Sequence, residues 1–222
     1  MFNMMRFLAV FTAFILTSHF VSGQEKNYST ITKQLLEIDE LDQRYRNQLD
    51  EVQTKYGSDS KEMKLLFENM KQADSLDLLQ IDTIIAKYGW LGYHLIGDQA
   101  NTTIFMVIQH SNLSVQLKYL PLLREAVKSG NAKARHLALM EDRIALRQGK
   151  KQIYGSQIAW NMKTNISYVA PLEDPDNVDK RRAAIGLSSL AEYLAPHGII
   201  WNLEQYKKDL PAFENEFVKS QN

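Results

Sequence analysis

His110 is a titratable side chain that the sequence places at the end of a strongly apolar segment. It follows Gln109 and the run Ile104–Ile108. An imidazole titrates near neutral pH and can act as a general base, and the dipole at the end of a helix also favours a histidine. His110 is therefore predicted to be either a catalytic base that faces a cleft or a core histidine with satisfied hydrogen bonds.

Asp142 and Arg143 form a second candidate pair. On a predicted helix over residues 132–148 they flank Leu139 and Leu146, which lie on a different side from a second apolar stripe. A helix that is apolar on two sides is packed between neighbours, so both charges are expected to be at least partly buried. Buried charges need partners. The pair is therefore part of either a structural salt-bridge network or a preorganised polar pocket.

Gln152, Tyr154 and Gln157 are grouped around Gly155. In an extended chain Gln152 and Tyr154 share one face, and a turn at Gly155 would redirect Gln157. Such donors and acceptors suit a sugar, peptide or carboxylate ligand. They would equally connect a β-hairpin to neighbouring helices, so both interpretations stay open.

Arg181 and Arg182 lie close in sequence to Glu173 and Asp174. The planar guanidinium group suits a carboxylate or phosphate ligand. The alternative is that these arginines pair with the two acids at the start of a helix.

These polar groups are costly to bury without partners, and one shared hydrogen-bond network would satisfy all of them. We therefore predict that they converge on one pocket, with His110 as the candidate catalytic residue. The candidate binding residues are Asp142, Arg143, Gln152, Tyr154, Gln157 and at least one of Arg181 and Arg182.

Composition and motifs exclude several classes of function. Lys and Arg number 26, as do Asp and Glu, so the net charge gives no attraction to nucleic acid. The chain has no cysteine, and its five histidines show no metal-ligand spacing. It also has no GxSxG, P-loop, GxGxxG, HExxH or calcium-loop motif. The sequence predicts no metal site and no cofactor.

Hydrophobic periodicity predicts a mainly α fold, a single helical domain with a short β-hairpin insert near residues 152–172. A single domain also suits the length of 222 residues. The central helix over 98–110 is apolar on all sides and is expected to be buried. The other predicted helices cover residues 30–56, 60–73, 75–88, 114–129 (with a kink or late start at Pro121), 132–148, 181–194 and 203–218.

The first 23 residues have the pattern of a secretory signal peptide. Arg6 precedes the apolar run Phe7–Thr17, and small residues precede a predicted cut after Gly23. An uncleaved membrane anchor is disfavoured because the run is shorter than the ~20 residues that a spanning helix needs. We expect residues 24–222 to form a secreted or periplasmic domain without a membrane span.

The motif residues resemble those of an uncharacterised bacterial family, known as a domain of unknown function. Its pattern runs D-Q-x-x-R, G-W-P, Q-H, D-R, G-x-x-Q-x-Y-G-T-Q, D-x-R-R and G-L. Leu91 replaces the proline of this pattern and Ser156 replaces the threonine. The resemblance implies no established activity. The matching residues are Asp42, Gln43, Arg46, Gly89, Trp90, Gln109, His110, Asp142, Arg143, Gly149, Gln152, Tyr154, Gly155, Gln157, Asp179, Arg181, Arg182, Gly186 and Leu187.

Three functions remain open at this point. The first is binding of a small polar ligand or peptide through the His, Arg, Gln and Tyr cluster. The second is a hydrolase in which His110 is the base and Arg143, Gln152 and Tyr154 orient the substrate. The third is a structural or partner-binding role for the charged helix over residues 30–56. An enzyme needs a concave site in which His110 meets a second polar group within hydrogen-bond reach.

Overall fold

The computed structural model describes residues 28–161 and 166–221. The predicted signal peptide, its cleavage site and most of the predicted hairpin turn lie outside these residues. Within the described ranges no helix is both long and apolar enough to cross a membrane. Helices dominate and one antiparallel β-hairpin is present, so the predicted fold class, mainly α with a short hairpin, is confirmed.

The first part of the described chain, residues 28–147, consists of helices and the short turns between them. It consists of α1 (28–46), α2 (Leu49–Tyr56), α3 (Lys61–Tyr88), α4 (Tyr93–Ile96), α5 (Asp98–His110), α6 (Leu113–Lys128) and α7 (Ala134–Arg147). The remainder consists of β1 (Ile158–Asn161), β2 (Ile166–Val169), α8 (Val178–Ala184), α9 (Leu190–Leu194) and α10 (Leu203–Gln221), with 3₁₀ turns at Pro175–Asn177 and Ala195–His197.

Two predicted boundaries near the N-terminus are wrong. The predicted helix over 30–56 is interrupted by a turn at residues 47–48. Conversely, the helices predicted at 60–73 and 75–88 are one helix, α3, of 28 residues and about 42 Å. Asp74 lies inside this helix, and its carboxylate accepts a hydrogen bond from Arg46 at 2.7 Å, which holds the end of α1 against α3.

The ends of α6 and α7 also differ from the prediction. Helix α6 begins at Leu113 despite Pro121 in its interior, because Asn112 accepts the backbone N–H of Val115 at 3.1 Å and caps it. A late start at Pro121 is therefore wrong. Helix α7 begins after Lys133, which provides no side-chain cap.

Helix α5 lies at the centre of the first hydrophobic core, as predicted. Four side chains of this helix are at most 2% exposed: Ile104, Phe105, Val107 and Ile108. The ring of Phe105 also stacks on the imidazole of His136 in α7, with ring centroids 4.4 Å apart. Residues of α1, α3, α6 and α7 pack around this helix.

The hairpin is shorter than predicted. β1 and β2 pair in register from Ile158 with Val169 to Asn161 with Ile166. Residues 152–157, predicted as strand, form a loop that is joined to the segment after β2 by an isolated bridge between Gln152 and Leu172. The loop does not continue the hairpin ladder because several of its backbone N–H groups bind the carboxylate of Asp142.

The helix predicted over 181–194 is divided at Gly186. This glycine has φ +73° and ends α8. The N–H of Leu187 donates to the carbonyl of Arg182, and the N–H of Gly186 donates to that of Ala183, which is a Schellman motif. The left-handed conformation redirects the chain, so α9 packs at a new angle.

A second hydrophobic core lies in the C-terminal part of the chain. Its buried residues come from β2, the segment that follows it, α8, α9 and α10: Val169, Leu172, Val178, Leu190, Leu194 and Tyr206. The loop 152–157 lies between this core and helix α7 of the first core, and the predicted site residues are concentrated there.

Candidate functional site

Asp142 anchors the loop 152–157 to helix α7. Its side chain is completely buried. The carboxylate accepts the backbone N–H groups of Ile153 at 2.7 Å, Tyr154 at 3.0 Å and Ser156 at 2.9 Å. Burial raises the pKa of Asp142 and these three donors lower it, with a net increase. Asp142 is therefore a structural anion whose oxygens are already occupied by the chain.

Gly155 and Gln152 shape the same loop. Gly155 has φ +69°, and a Cβ atom there would lie 3.0 Å from Cδ1 of Leu190, so the position favours glycine by conformation and by packing. The amide of Gln152 donates to the carbonyls of Gln157 and Ala170 and accepts the N–H of Gln157. All of these contacts are internal to the loop and its junction with β2.

Arg143 connects the loop to the end of α5. Its Nε donates to Oε1 of Gln157 at 3.1 Å, and its Nη1 approaches the carbonyl of Gln109 at 3.5 Å. It forms no ion pair with a described carboxylate. Burial, together with repulsion from Arg147 and Arg46, lowers the pKa of Arg143 to about 10.

His110 faces helices α1 and α3. Its Nδ1 lies 3.0 Å from Oδ1 of Asp42, which is also 3.1 Å from Nη1 of Arg46. Burial alone would raise the pKa of Asp42, but the hydrogen bond and charge of His110, with Arg46, hold it below its ordinary value. Nε2 of His110 has no hydrogen-bond partner among the described residues. The arrangement orients the imidazole through an ionised carboxylate.

Arg181 and Arg182 are adjacent in sequence but have different partners. Arg181 pairs with Asp174 at 3.3 Å and donates to the carbonyls of Ile153, Glu173 and Asp174. These contacts attach α8 to the loop 152–157 and to the segment at Glu173 and Asp174. The alternative reading of Arg181, pairing with an acid near a helix start, thus matches its observed contacts.

Arg182 is 2% exposed and forms no ion pair with any described carboxylate. Its Nε donates to the carbonyl of Ser188 at 2.6 Å and its Nη1 to the carbonyl of Tyr154 at 2.7 Å. The guanidinium carbon lies 4.9 Å from the centre of the Tyr193 ring. Burial lowers the pKa of Arg182. Nη2 has no acceptor among the described residues.

A cleft of about 500 Å³ opens beside Arg182, between the start of α7 and the α8–α9 connection. Ser156 and Tyr193 also line it, and the Tyr193 hydroxyl donates to the carbonyl of Ser156 at 2.8 Å. Its volume is within the range of small-molecule sites. The other lining residues are Lys133, Ala134, Arg135, Ala138, Leu139, Ile185, Gly186, Leu187 and Ser188.

The cleft includes only one of the predicted site residues, Arg182. None of the others lines it: Arg181 binds the carbonyls of Ile153 and Glu173, and the rest form two neighbouring groups. Asp142, Gln152 and the backbone of Tyr154 shape the loop 152–157, while Arg143 and Gln157 link that loop to the end of α5 next to His110.

Three residues of the cleft, Tyr193, Lys133 and Arg135, are not among the residues predicted from the sequence. Lys133 and Arg135 carried a usable signal, because they place two cations at the start of α7, where the helix dipole favours anions. Tyr193 carried none, since an aromatic residue in a predicted helix usually belongs to the core. No cluster of His, Asp or Glu within the described ranges could hold a metal ion.

Comparison with known proteins identifies the family of the chain. Residues 29–201 match DUF6624, a family of unknown function, and the chain belongs to it. The resemblance noted in the sequence is thereby confirmed. No curated protein and no solved structure matches the chain.

Proposed function

We propose that this member of the DUF6624 family binds a small ligand with an anionic group in the cleft beside Arg182. The observation that carries this proposal is a buried guanidinium that lines a cleft without a carboxylate partner. A buried charge is costly unless it is paired. A ligand anion would supply the missing partner.

The residues that line the cleft include three cations and no carboxylate. Lys133 is paired with Asp98 at 2.8 Å, so it adds little to the excess. Arg135 is exposed and makes no ion pair with a described residue. The first turn of α7 lines the same cleft and has no side-chain cap. Together these groups favour an anion.

Two other predicted site residues, Asp142 and Tyr154, support this function indirectly. Asp142 fixes the backbone of Tyr154 and Ser156, and the Tyr154 carbonyl in turn holds Nη1 of Arg182. Arg182 is therefore held in one orientation before a ligand arrives. Such preorganisation lowers the entropic cost of binding.

The test is a titration of the protein with acetate and inorganic phosphate, followed through the arginine Nε–H resonances in NMR spectra. We expect Arg182 and Arg135 to shift together. Arg182→Met should weaken binding at least about tenfold, as expected for a buried charge-assisted hydrogen bond. Arg181→Met is the matched control, because Arg181 is the neighbouring arginine and does not line the cleft.

Arg135→Gln provides a second variant that does not disturb a buried group. It should weaken binding about twofold to fivefold, and less at high salt, because Arg135 is exposed. If neither anion shifts the cleft resonances at tens of millimolar, the proposed function is wrong.

A hydrolase is the second candidate, and the His110–Asp42 pair favours it. A carboxylate orients the imidazole of His110, and its other nitrogen has no hydrogen-bond partner within residues 28–161 and 166–221; this is the arrangement of a general base. Chromogenic ester, glycoside and peptide substrates test this candidate. His110→Ala should lower any turnover about 10²–10⁴-fold. The exposed His197→Ala is the control, and turnover that survives in His110→Ala excludes His110 as the base.

Export is part of the same proposal and is supported by the N-terminal sequence alone. Arg6 and the apolar run Phe7–Thr17 fit a signal peptide cleaved after Gly23. The intact mass of the exported protein should lack the first 23 residues. A full-length chain retained in the membrane fraction would contradict export.

A further inference from the structure

We propose that the ligand of the Arg182 cleft is an aliphatic monocarboxylate, with its carboxylate at Arg182 and its chain along the apolar walls. This inference rests on the proposed function and specifies the class of ligand. We infer the class of ligand from the hydrogen-bond donors of Arg182 at one end of the cleft and from the apolar side chains that line the other end.

The donors at Arg182 suit a head group with a single charge. Two of its three nitrogens already donate to the carbonyls of Ser188 and Tyr154, so Nη2 is the nitrogen left without an acceptor in the described part of the chain. Lys133 is neutralised by Asp98. A carboxylate matches the single charge of Arg182, which Asp179 and Asp142 attract without forming an ion pair with it in the described part of the chain. The second charge of a phosphate dianion would have to be balanced by Arg135, which is exposed.

The wall formed by α7 changes from cationic to apolar within about one helical turn, or ~5.4 Å. Lys133 and Arg135 lie at its start, and Ala138 and Leu139 follow one turn later. Residues four apart lie on the same face of a helix, so Arg135 and Leu139 form one continuous strip of this wall. The aliphatic chain of a ligand whose carboxylate is at Arg182 would then lie along the apolar end of this strip, at Ala138 and Leu139.

The opposite wall continues the apolar surface. Ile185 and Leu187 line it on either side of Gly186. The Schellman turn at Gly186 fixes Leu187 through its N–H bond to the carbonyl of Arg182. The residue that would hold the carboxylate thus also positions the apolar wall, and the two features form one site.

A homologous series of carboxylates tests this assignment by isothermal titration calorimetry. Acetate, butyrate, hexanoate and octanoate are used below their micelle concentrations. Each added methylene should tighten binding about fourfold while it is buried, from the transfer free energy of a CH₂ group. The gain should stop when the chain reaches solvent. Hexylamine, which has the same chain and the opposite charge, should not bind.

Leu187→Ala tests the apolar wall separately. It should weaken hexanoate binding several-fold and leave acetate binding unchanged. The exposed Leu117→Ala, away from the cleft, is the matched control. If Leu187→Ala does not fold, the dependence of affinity on carboxylate chain length in the unmodified protein tests the apolar wall instead.

The outcomes separate the two proposals. If acetate binds through Arg182 but affinity does not depend on chain length, the inference is overturned and the proposed function stands. If phosphate binds more tightly than every carboxylate, the inference is again overturned. If no carboxylate binds but phosphate does, the inference is overturned and the proposed function stands. If hexanol binds as tightly as hexanoate, or if neither a carboxylate nor phosphate binds, the anionic site itself is absent and both proposals fall.

Discussion

Asp142 shows how one residue can organise a loop without contacting a ligand. Its carboxylate takes three backbone N–H groups from a segment 11 to 14 residues further along the chain. Each hydrogen bond to a charged group contributes about 1.5–3 kcal/mol, and an unpaired buried donor has a comparable cost. The conformation of residues 152–157 therefore depends on this side chain.

Asp142→Asn should destabilise the fold by about 3 kcal/mol, because the new NH₂ group faces backbone donors and leaves at least one of them unpaired. Urea denaturation measures the change. Glu141→Gln, on the same helix in a partly exposed pair with Arg124, is the control and should cost no more than about 1 kcal/mol. Equal effects of the two substitutions would show that the buried carboxylate is dispensable.

Asp77 predicts a pH-dependent stability. Oδ2 of Asp77 is enclosed without a hydrogen-bond partner among the described residues. Burial, with the charges of Asp42 and Asp74, raises the pKa of Asp77 from 3.8 to about 6. Between about pH 4 and pH 6 the unfolded chain releases this proton and the folded chain keeps it. The contribution of Asp77 to the free energy of unfolding therefore falls as the pH rises through this interval.

Asp77→Asn should remove this dependence. The variant is expected to match the unmodified protein near pH 4 and to exceed its free energy of unfolding by about 2–3 kcal/mol at pH 7. Urea denaturation at several pH values gives the difference, with the exposed Asp59→Asn as control. A difference that does not change with pH would refute the assignment to Asp77.

At the residue scale, the sequence indicates which polar groups are costly to bury but not which residues pair with them. The two apolar stripes of α7 correctly indicated that Asp142 is buried. The pattern did not distinguish Arg181 from Arg182, because both follow the same acids by similar distances. Only the packing of α8 directs Arg181 to Asp174 and Arg182 towards Tyr193.

At the scale of elements, α5 is the helix on which the first core is built. Phe105→Ala should cost about 3–5 kcal/mol, because it removes a fully buried ring and the stacking contact with His136. Thermal or urea denaturation measures this loss. Phe67→Ala, at a half-exposed position of α3, is the control and should cost far less. A loss below about 1 kcal/mol at Phe105 would mean that α5 is peripheral.

Element positions were predictable where the apolar pattern is strong and uninterrupted, as in α5. They were not predictable where a residue or segment of a type that usually marks a helix end or a strand makes a long-range contact instead. Asp74 has the residue type of a helix cap, but its long-range pair with Arg46 leaves α3 uninterrupted. Residues 152–157 have the composition of a strand, but Gly155 and the carboxylate of Asp142 turn them into a loop.

At the scale of the whole molecule, the two cores are joined by buried contacts. Asp142 connects α7 to the loop, and Gly155 packs on Leu190 of the second core. The mainly α class followed from the sequence. The cleft between α7 and the α8–α9 connection did not, because it depends on how these distant segments approach each other.

We expect the two cores to unfold in one cooperative transition, as predicted for a single domain. Tryptophan fluorescence can report each core separately. Trp90 belongs to the first core, while Trp201 packs against the second. Variants that keep only one of these tryptophans, each with Trp160→Phe, should show coincident urea midpoints. Separate midpoints would identify two independently stable domains.

The sequential arrangement of the cores has a consequence for biosynthesis. The buried residues of the first core lie between residues 31 and 144, and those of the second between 169 and 206. Domains generally fold from the N-terminus as the ribosome releases the chain. The first core can therefore form while the second is still being translated. Asp142 is then already in place when residues 153–156 emerge, and the nascent loop folds onto a preformed carboxylate.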